Sequence, residues 1–118
     1  MKYMLLIYLE ETAINEEERE RCYVESTELA TDLQAKGQFL GANPLQPTST
    51  ATTVRIREGK RLVTDGPFAE TREYLGGYFL VNAPNLDDAI AIAGRVPAAR
   101  FGTVEIRPVI EIQGLPEE

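Results

Sequence analysis

Histidine and tryptophan are absent from this sequence of 118 residues, and Cys22 is its only cysteine. Zinc and copper sites therefore lack their usual ligands, and a serine nucleophile lacks its histidine base. A single cysteine forms no intramolecular disulfide, which is typical of a reducing cytoplasm. Its helical spacing predicts a small core residue. We expect no metal site beyond a weak carboxylate one, and no cofactor.

Basic residues are also scarce: 12 Lys and Arg stand against 19 Asp and Glu, for a net charge of -7. A phosphate backbone would be repelled, so nucleic acid is not an expected partner. Four of the basic residues cluster at Arg55, Arg57, Lys60 and Arg61, a pattern that favours the solvated face of a hairpin. No glycine-rich phosphate loop precedes a predicted helix.

Long apolar runs are missing as well. The first run, YMLLIYL, is short and stops at two glutamates, so we expect neither an export signal nor a membrane span, and we expect a cytoplasmic protein. The composition, 43% hydrophobic and 26% charged, is that of a globular chain. At this length, residues 1–118 are expected to form one domain with one core.

Periodicity predicts the order of the elements. Residues 3–9 read as a central strand, Asn15 and Glu18 as the capping box of a long helix that ends near Lys36, and QFLGANPL as a short strand. Residues 52–57 and 61–64 flank Glu58-Gly59-Lys60 as a hairpin, followed by the strand GGYFLVNA. Asn85 begins a second helix that ends by Val96, and TVEIRPVIEI reads as the last strand.

This order of elements predicts a ferredoxin-like α+β sandwich with a hairpin insertion around residues 43–64. Two helices cover only one face of the sheet, although its two best strands look apolar on both faces. We therefore expect a homodimer in which two sheets face each other. The alternative is a monomer whose insertion folds over that face.

The most unusual segment is VTDGPFAETREYLGG, residues 63–77. Asp65 ends a predicted strand before a Gly-Pro turn, where it either accepts hydrogen bonds from the amides of the turn or serves as a rigidly held acid-base or ligand group. Phe68 is expected to anchor the turn in the core.

This segment resembles the signature of the DGPF subgroup of YCII-related proteins. MKYMLLIY, LGANPLQPTSTATTVR and GTVEIRPV extend the resemblance over nearly the whole chain. It implies a dimeric ferredoxin-like barrel in a bacterial cytoplasm. The wider family includes members whose supposed active site pairs a histidine with an aspartate, and a few that act on chlorinated muconolactone-type compounds. Asp65 looks like that aspartate, but without histidine the dyad cannot operate. Subgroup members are often encoded beside extracytoplasmic-function sigma factors, which implies at most an indirect link.

A cleft between the two sheets would take its polar lining from strand positions that face away from the helices. Glu105 and Arg107 share such a face, and Arg107 with Arg72 would hold a carboxylate. Glu70 and Tyr78 complete this candidate ligand site. The alternatives are an ion pair of Arg107 with Asp65 or Glu70, and tyrosines that fill the core or interface.

Three functions follow from these residues. The first is a dimer that binds a small organic acid through Arg72, Arg107 and Asp65. The second is a lyase, isomerase or dehalogenase with Asp65 as its acid-base, which would require a buried Asp65. The third is an interaction module for a sigma factor, which would require an exposed apolar patch beyond the dimer interface.

Overall fold

Residues 1–116 are described here in a computed structural model. The strands are β1 (Lys2–Leu9), β2 (Phe39–Pro44), β3 (Thr52–Arg57), β4 (Lys60–Asp65), β5 (Tyr74–Asn82) and β6 (Thr103–Pro108), and the helices are α1 (Glu16–Ala35) and α2 (Leu86–Ala93). Short 3-10 turns lie at Thr48–Thr50 and Pro97–Arg100.

Four of the strands form one antiparallel sheet in the order β2-β5-β1-β6. Each half of the chain thus supplies a strand, a helix and a second strand, and the halves interleave. This is the ferredoxin-like α+β fold that the order of elements predicts. Within residues 1–116, β3 and β4 pair only with each other, as a separate two-stranded sheet.

Local sequence explains where α1 begins and ends. The Asn15 side chain accepts a hydrogen bond from the Glu18 amide at 2.8 Å, and the Glu18 carboxylate accepts one from the Asn15 amide at 3.0 Å. This capping box satisfies amides that the first helical turn leaves open. After Lys36, Gly37 has a φ of 72°, which glycine adopts at little cost at a helix end.

The core lies between the helices and one face of the four-stranded sheet. Alternate residues of β1 (Tyr3, Leu5, Ile7) and β5 (Phe79, Val81) point into it, against Leu29 and Leu33 of α1 and Ala89 and Ile92 of α2. Cys22 is buried on α1, as expected. Among residues 1–116, neither helix offers a stretch long and apolar enough to cross a bilayer.

Alternation places the other residues of these strands on the face that no helix covers. Its centre carries five largely apolar side chains, each partly exposed: Met4, Leu6, Tyr8, Tyr78 and Leu80. We call this surface the open face.

Two expectations are wrong in detail. The last strand ends at Pro108, so Ile110 and Ile112 lie beyond it and are exposed. The reason is the short partner strand: β1 begins at Lys2, whose carbonyl already accepts the amide of Val109, so no strand remains to pair with later residues. Phe68 is 77% exposed and does not anchor its turn in the core.

The β3–β4 hairpin turns at Glu58 and Gly59, which have φ values of 52° and 74°. Two consecutive positive φ values are those of the tight turn that suits the twist of a hairpin. All residues from Val54 to Asp65 are exposed. The expected hairpin is thus present, and it does not fold over the open face.

Candidate functional site

A cavity of about 820 Å³ lies between α1 and the sheet, at the end where β2 and β5 meet the N-terminal half of the helix. Residues 43–47, which are the last two residues of β2 and the three that follow it, pass along the cavity. Its size is within the range of sites for small molecules. We call it the helix-side cavity, because it lies on the covered face of the sheet.

The cavity exists because small residues face each other across it. On α1, Cys22, Ser26 and Ala30 are four residues apart and form one inward stripe. On the sheet, Ala42 and Gly77 add little volume. Further along the helix, the larger Leu29 and Leu33 are buried and fill the equivalent space.

Gly77 also permits the close approach of β2 and β5 at the cavity wall. A Cβ at this position would lie 2.9 Å from the carbonyl oxygen of Asn43 and 3.2 Å from the Cα of Pro44. Both contacts are with backbone atoms, which cannot move aside cheaply. A side chain here would push β2 away from β5 and change the shape of the cavity.

Charged residues line the cavity where the β1–α1 connection passes. Arg19 is partly buried and belongs to the lining, together with Glu10 and Glu11. Glu11 accepts hydrogen bonds from the hydroxyl of Thr48 and, at 2.9 Å, from its amide. These bonds, and the nearby charge of Arg19, hold the pKa of Glu11 below its ordinary value.

The other lining carboxylate, Glu10, is engaged by Arg72, whose Nε lies 2.5 Å from Oε1. Both acids of the lining are thus held by groups from outside it. Among residues 1–116, Arg19 forms no salt bridge, and it is the one basic residue of the lining, so it is the group that can meet an anionic ligand.

Cys22 brings a thiol to the same wall. Burial is the main cause that raises its pKa above the ordinary value. A thiol with a raised pKa is largely protonated at neutral pH, and it is the thiolate that acts as a nucleophile. Cys22 therefore contributes shape and polarizability to the cavity.

The structure does not bring the six sequence-predicted site residues together. Asp65 is exposed at the end of β4, opposite Thr52 in the hairpin, and it does not line the helix-side cavity. The amide of Gly66 donates to the carbonyl of Ala51 at 2.7 Å, and the Thr53 hydroxyl donates to the Gly66 carbonyl at 2.8 Å. These two hydrogen bonds hold Gly66 against the start of β3, and neither of them involves the Asp65 carboxylate.

Arg72 and Glu70 lie on the exposed connection between β4 and β5. The Arg72 side chain is 90% exposed and binds Glu10, not a site shared with Arg107. The expected pairing of two arginines around one carboxylate is therefore not formed within the described chain. This ion pair joins residues 62 positions apart, and no pattern in the sequence predicts it.

Glu105 and Arg107 do share a face of β6. They lie opposite Leu6 and Met4 of β1, which places them beside the open face. The Tyr8 hydroxyl donates to Glu105 Oε1 at 3.3 Å. Desolvation, and then the charge of Glu105, raise the pKa of Tyr8, whereas the charge of Arg107 lowers it.

Tyr78 is the one predicted residue that also borders the helix-side cavity. Its hydroxyl oxygen accepts a hydrogen bond from Asn43 Nδ2 at 3.0 Å, across the β2–β5 pair. This bond connects the end of β2 to the centre of the sheet, close to where residues 43–47 leave it.

Arg19 is the lining residue that sequence reasoning missed. It precedes Cys22 by three positions and Ser26 by seven, so helical spacing alone places it on the inward stripe of α1. A basic residue in line with small inward residues is a signal that was available. In residues 1–116, no three cysteine or acidic side chains converge closely enough to hold a metal ion.

Residues 1–113 match the family model of the YCII-related domain, and the chain belongs to this family. It is similar to an uncharacterized protein of Rhizobium meliloti (strain 1021), with 34% identity over 114 residues that cover 92% of each chain.

A solved structure with the same fold is that of 5-chloro-2-hydroxyhydroquinone dehydrochlorinase from Burkholderia phenoliruptrix, in complex with 2,5-dihydroxybenzoquinone. The TM-score is 0.58, and the match covers 96% of this chain and 97% of the other. Sequence identity is 11%, so this likeness supports the fold and says nothing about the reaction.

Proposed function

We propose that this protein binds a small organic acid with an apolar, ring-sized body in the helix-side cavity. The observation that carries this proposal is a cavity of about 820 Å³ between α1 and the sheet, with Arg19 in its lining. Apolar and small side chains dominate the lining, which suits an apolar body. Arg19 then pairs with the acidic group of the ligand.

The expected site thus moves to the other side of the sheet. The sequence favoured a cleft between two facing sheets, lined by Glu105 and Arg107. The described chain has a large cavity on the helix side, with Arg19 in its lining. The chemistry of the proposal, an arginine that binds an organic acid, stays the same.

The test compares matched ligands and matched arginine variants. Ring carboxylic acids, their neutral amides and 2,5-dihydroxybenzoquinone are screened by thermal shift and by calorimetry. Arg19→Gln should lower affinity for the acids about 10- to 100-fold, because a charge-assisted hydrogen bond contributes about 1.5–3 kcal/mol. Affinity for the neutral amides should change little.

Arg21→Gln is the matched control, since Arg21 pairs with Glu17 on the same helix and does not line the cavity. It should leave both classes of ligand unaffected. Equal losses for acids and amides in Arg19→Gln, or no binding of any ring compound to the wild type, would refute the proposed site.

The open face supports a second part of the proposal, that the protein works as a homodimer with two sheets face to face. Five largely apolar side chains lie there without a helix over them. Monomeric proteins seldom leave so contiguous an apolar surface in water. Leu6→Glu and Leu80→Glu should each weaken the dimer, as measured by sedimentation velocity.

The catalytic alternative built on Asp65 has less support, because an exposed carboxylate on a hairpin has no enclosed space around it in which to protonate a substrate. Asp65→Asn should therefore leave ligand affinity within about twofold of wild type. The interaction-module alternative requires an exposed apolar patch apart from the open face, and the hairpin carries one.

A further inference from the structure

The β3–β4 hairpin contributes no residue to the helix-side cavity, so the proposed ligand site gives it no role. Residues 52–65, here called the arm, pair only with one another and stand clear of the four-stranded sheet. An isolated two-stranded hairpin is only marginally stable in water. A hairpin with six paired positions and no cover from the rest of residues 1–116 is suited to a surface supplied by another molecule.

The arm has one distinctly apolar face. Its register sets Val54 opposite Val63 and Ile56 opposite Arg61, so these four side chains share a face. The three aliphatic ones are 58–59% exposed. Leu62, on the other face, is 48% exposed and lies opposite Arg55.

The arm also differs in charge from the rest of the chain. It carries four basic residues, Arg55, Arg57, Lys60 and Arg61, and two acidic ones, Glu58 and Asp65, so its net charge is +2. Because the whole chain carries -7, the remainder carries -9. The negative remainder of a second copy of this chain therefore attracts the positive arm. Another acidic protein would match the arm in charge alone.

The outer face of α1 complements the arm most closely. The helix holds seven acidic residues and two basic ones. Glu20, Val24 and Glu28 are four residues apart and exposed, so they form a stripe with an aliphatic centre, 60% exposed, between two carboxylates. The arm presents aliphatic side chains with Arg61 beside them, which is the matching arrangement.

We propose that the arm of one copy packs on the Glu20–Val24–Glu28 stripe of a second copy. Val54, Ile56 and Val63 cover Val24, and Arg61 meets one of the two carboxylates that flank it. A two-fold axis lets each copy give an arm and receive one, so both arms become covered. This contact is distinct from the open face and from the helix-side cavity, and it does not depend on the proposed ligand.

The first test changes the arm without unfolding it. The triple variant Val54→Thr, Ile56→Thr, Val63→Thr keeps β-branched residues, and Leu62→Thr is the matched control on the opposite face. Sedimentation velocity should show the dissociation constant of the triple variant raised at least tenfold, and that of Leu62→Thr within twofold of wild type. An unchanged triple variant, or a wild type that stays monomeric, overturns the proposal.

The second test identifies the receiving surface. Protein with Ile56→Cys is mixed with protein carrying Val24→Cys, and a bifunctional maleimide is added. Cys22 is buried and present in every sample, so any background reaction from it is the same throughout. A covalent heterodimer above that background is expected only from this mixture. Leu62→Cys replaces the arm partner in one control, and Ile90→Cys, exposed on α2, replaces the helix partner in the other.

Equal cross-linking in the controls overturns the assignment to α1. Amide exchange distinguishes the remaining outcome: if residues 52–65 exchange as fast in the wild-type dimer as in the diluted monomer, the arm is free and the dimer rests on the open face alone. Weakening by Leu6→Glu without weakening by the triple variant leads to the same conclusion. Either result refutes the arm contact while leaving the ligand site to its own test.

Discussion

Gly102 lies where the chain enters β6, against the end of β1. A Cβ on this residue would lie 2.0 Å from the carbonyl oxygen of Tyr8 and 2.8 Å from Leu9 Cδ2. Carbon and oxygen atoms that are not bonded rarely approach closer than about 3 Å. In Gly102→Ala the β1 end and the start of β6 must therefore separate by roughly 1 Å.

Overpacking of this kind costs about 1–3 kcal/mol and occasionally more, and the main obstacle here is backbone. The shift also strains the hydrogen bond from the Gly102 amide to Ala98, now 2.9 Å. We expect a loss of about 3 kcal/mol in the free energy of unfolding, or roughly 10 °C in Tm for a domain of this size. Urea denaturation and calorimetry measure both quantities.

The same substitution at Gly94 is the control. Gly94 has φ -65° and ψ -16°, which are helical values, and a Cβ here would lie 3.6 Å from the Ile90 carbonyl oxygen, an ordinary contact. Gly94→Ala should stabilise the protein by about 0.4–1 kcal/mol, because it restricts the unfolded chain. If the two variants unfold at the same urea concentration, the packing argument at β6 is wrong.

Three further outcomes are expected. Ser26→Leu should fill the helix-side cavity, stabilise the protein by roughly 1 kcal/mol and remove any ligand-induced rise in Tm; retained ligand stabilisation would count against the site. Asn15→Ala should cost about 1 kcal/mol in urea denaturation through loss of the capping box, whereas Glu18→Gln should cost much less. Because Thr48 lowers the pKa of Glu11, that contribution is present above the unfolded pKa near 4.5 and lost as pH falls through the folded value. Glu11→Gln should thus show a shallower loss of stability below pH 4.5 than wild type, and an identical acid limb would contradict this.

Much of the fold was predictable because its signals are local. The capping box at Asn15 and Glu18, the glycine after Lys36, and the alternation along β1 each depend on residues within one or two turns or strand repeats. The interleaving of two β-α-β halves follows from their order, since few arrangements of these elements are sterically allowed. The YCII-related resemblance agreed with this order and is confirmed by the family match.

The candidate site was predicted less well. Glu105 and Arg107 share a face because period-2 alternation is local, but Arg72 binds Glu10, from a distant part of the chain. Phe68 looked like a core anchor because aromatic residues after a turn often pack inward, yet here no neighbouring element reaches it. The end of β6 at Pro108 depended on where its partner strand begins.

The sequence by itself determined the elements, their order and the faces of each strand, because these depend on backbone preferences and on the spacing of apolar residues. Only the tertiary structure decided where empty volume remains, since a cavity is the difference between side-chain sizes on elements far apart in the chain. It also decided that no other element of the described residues covers the arm, because a local pattern describes a hairpin equally well whether or not another element packs on it.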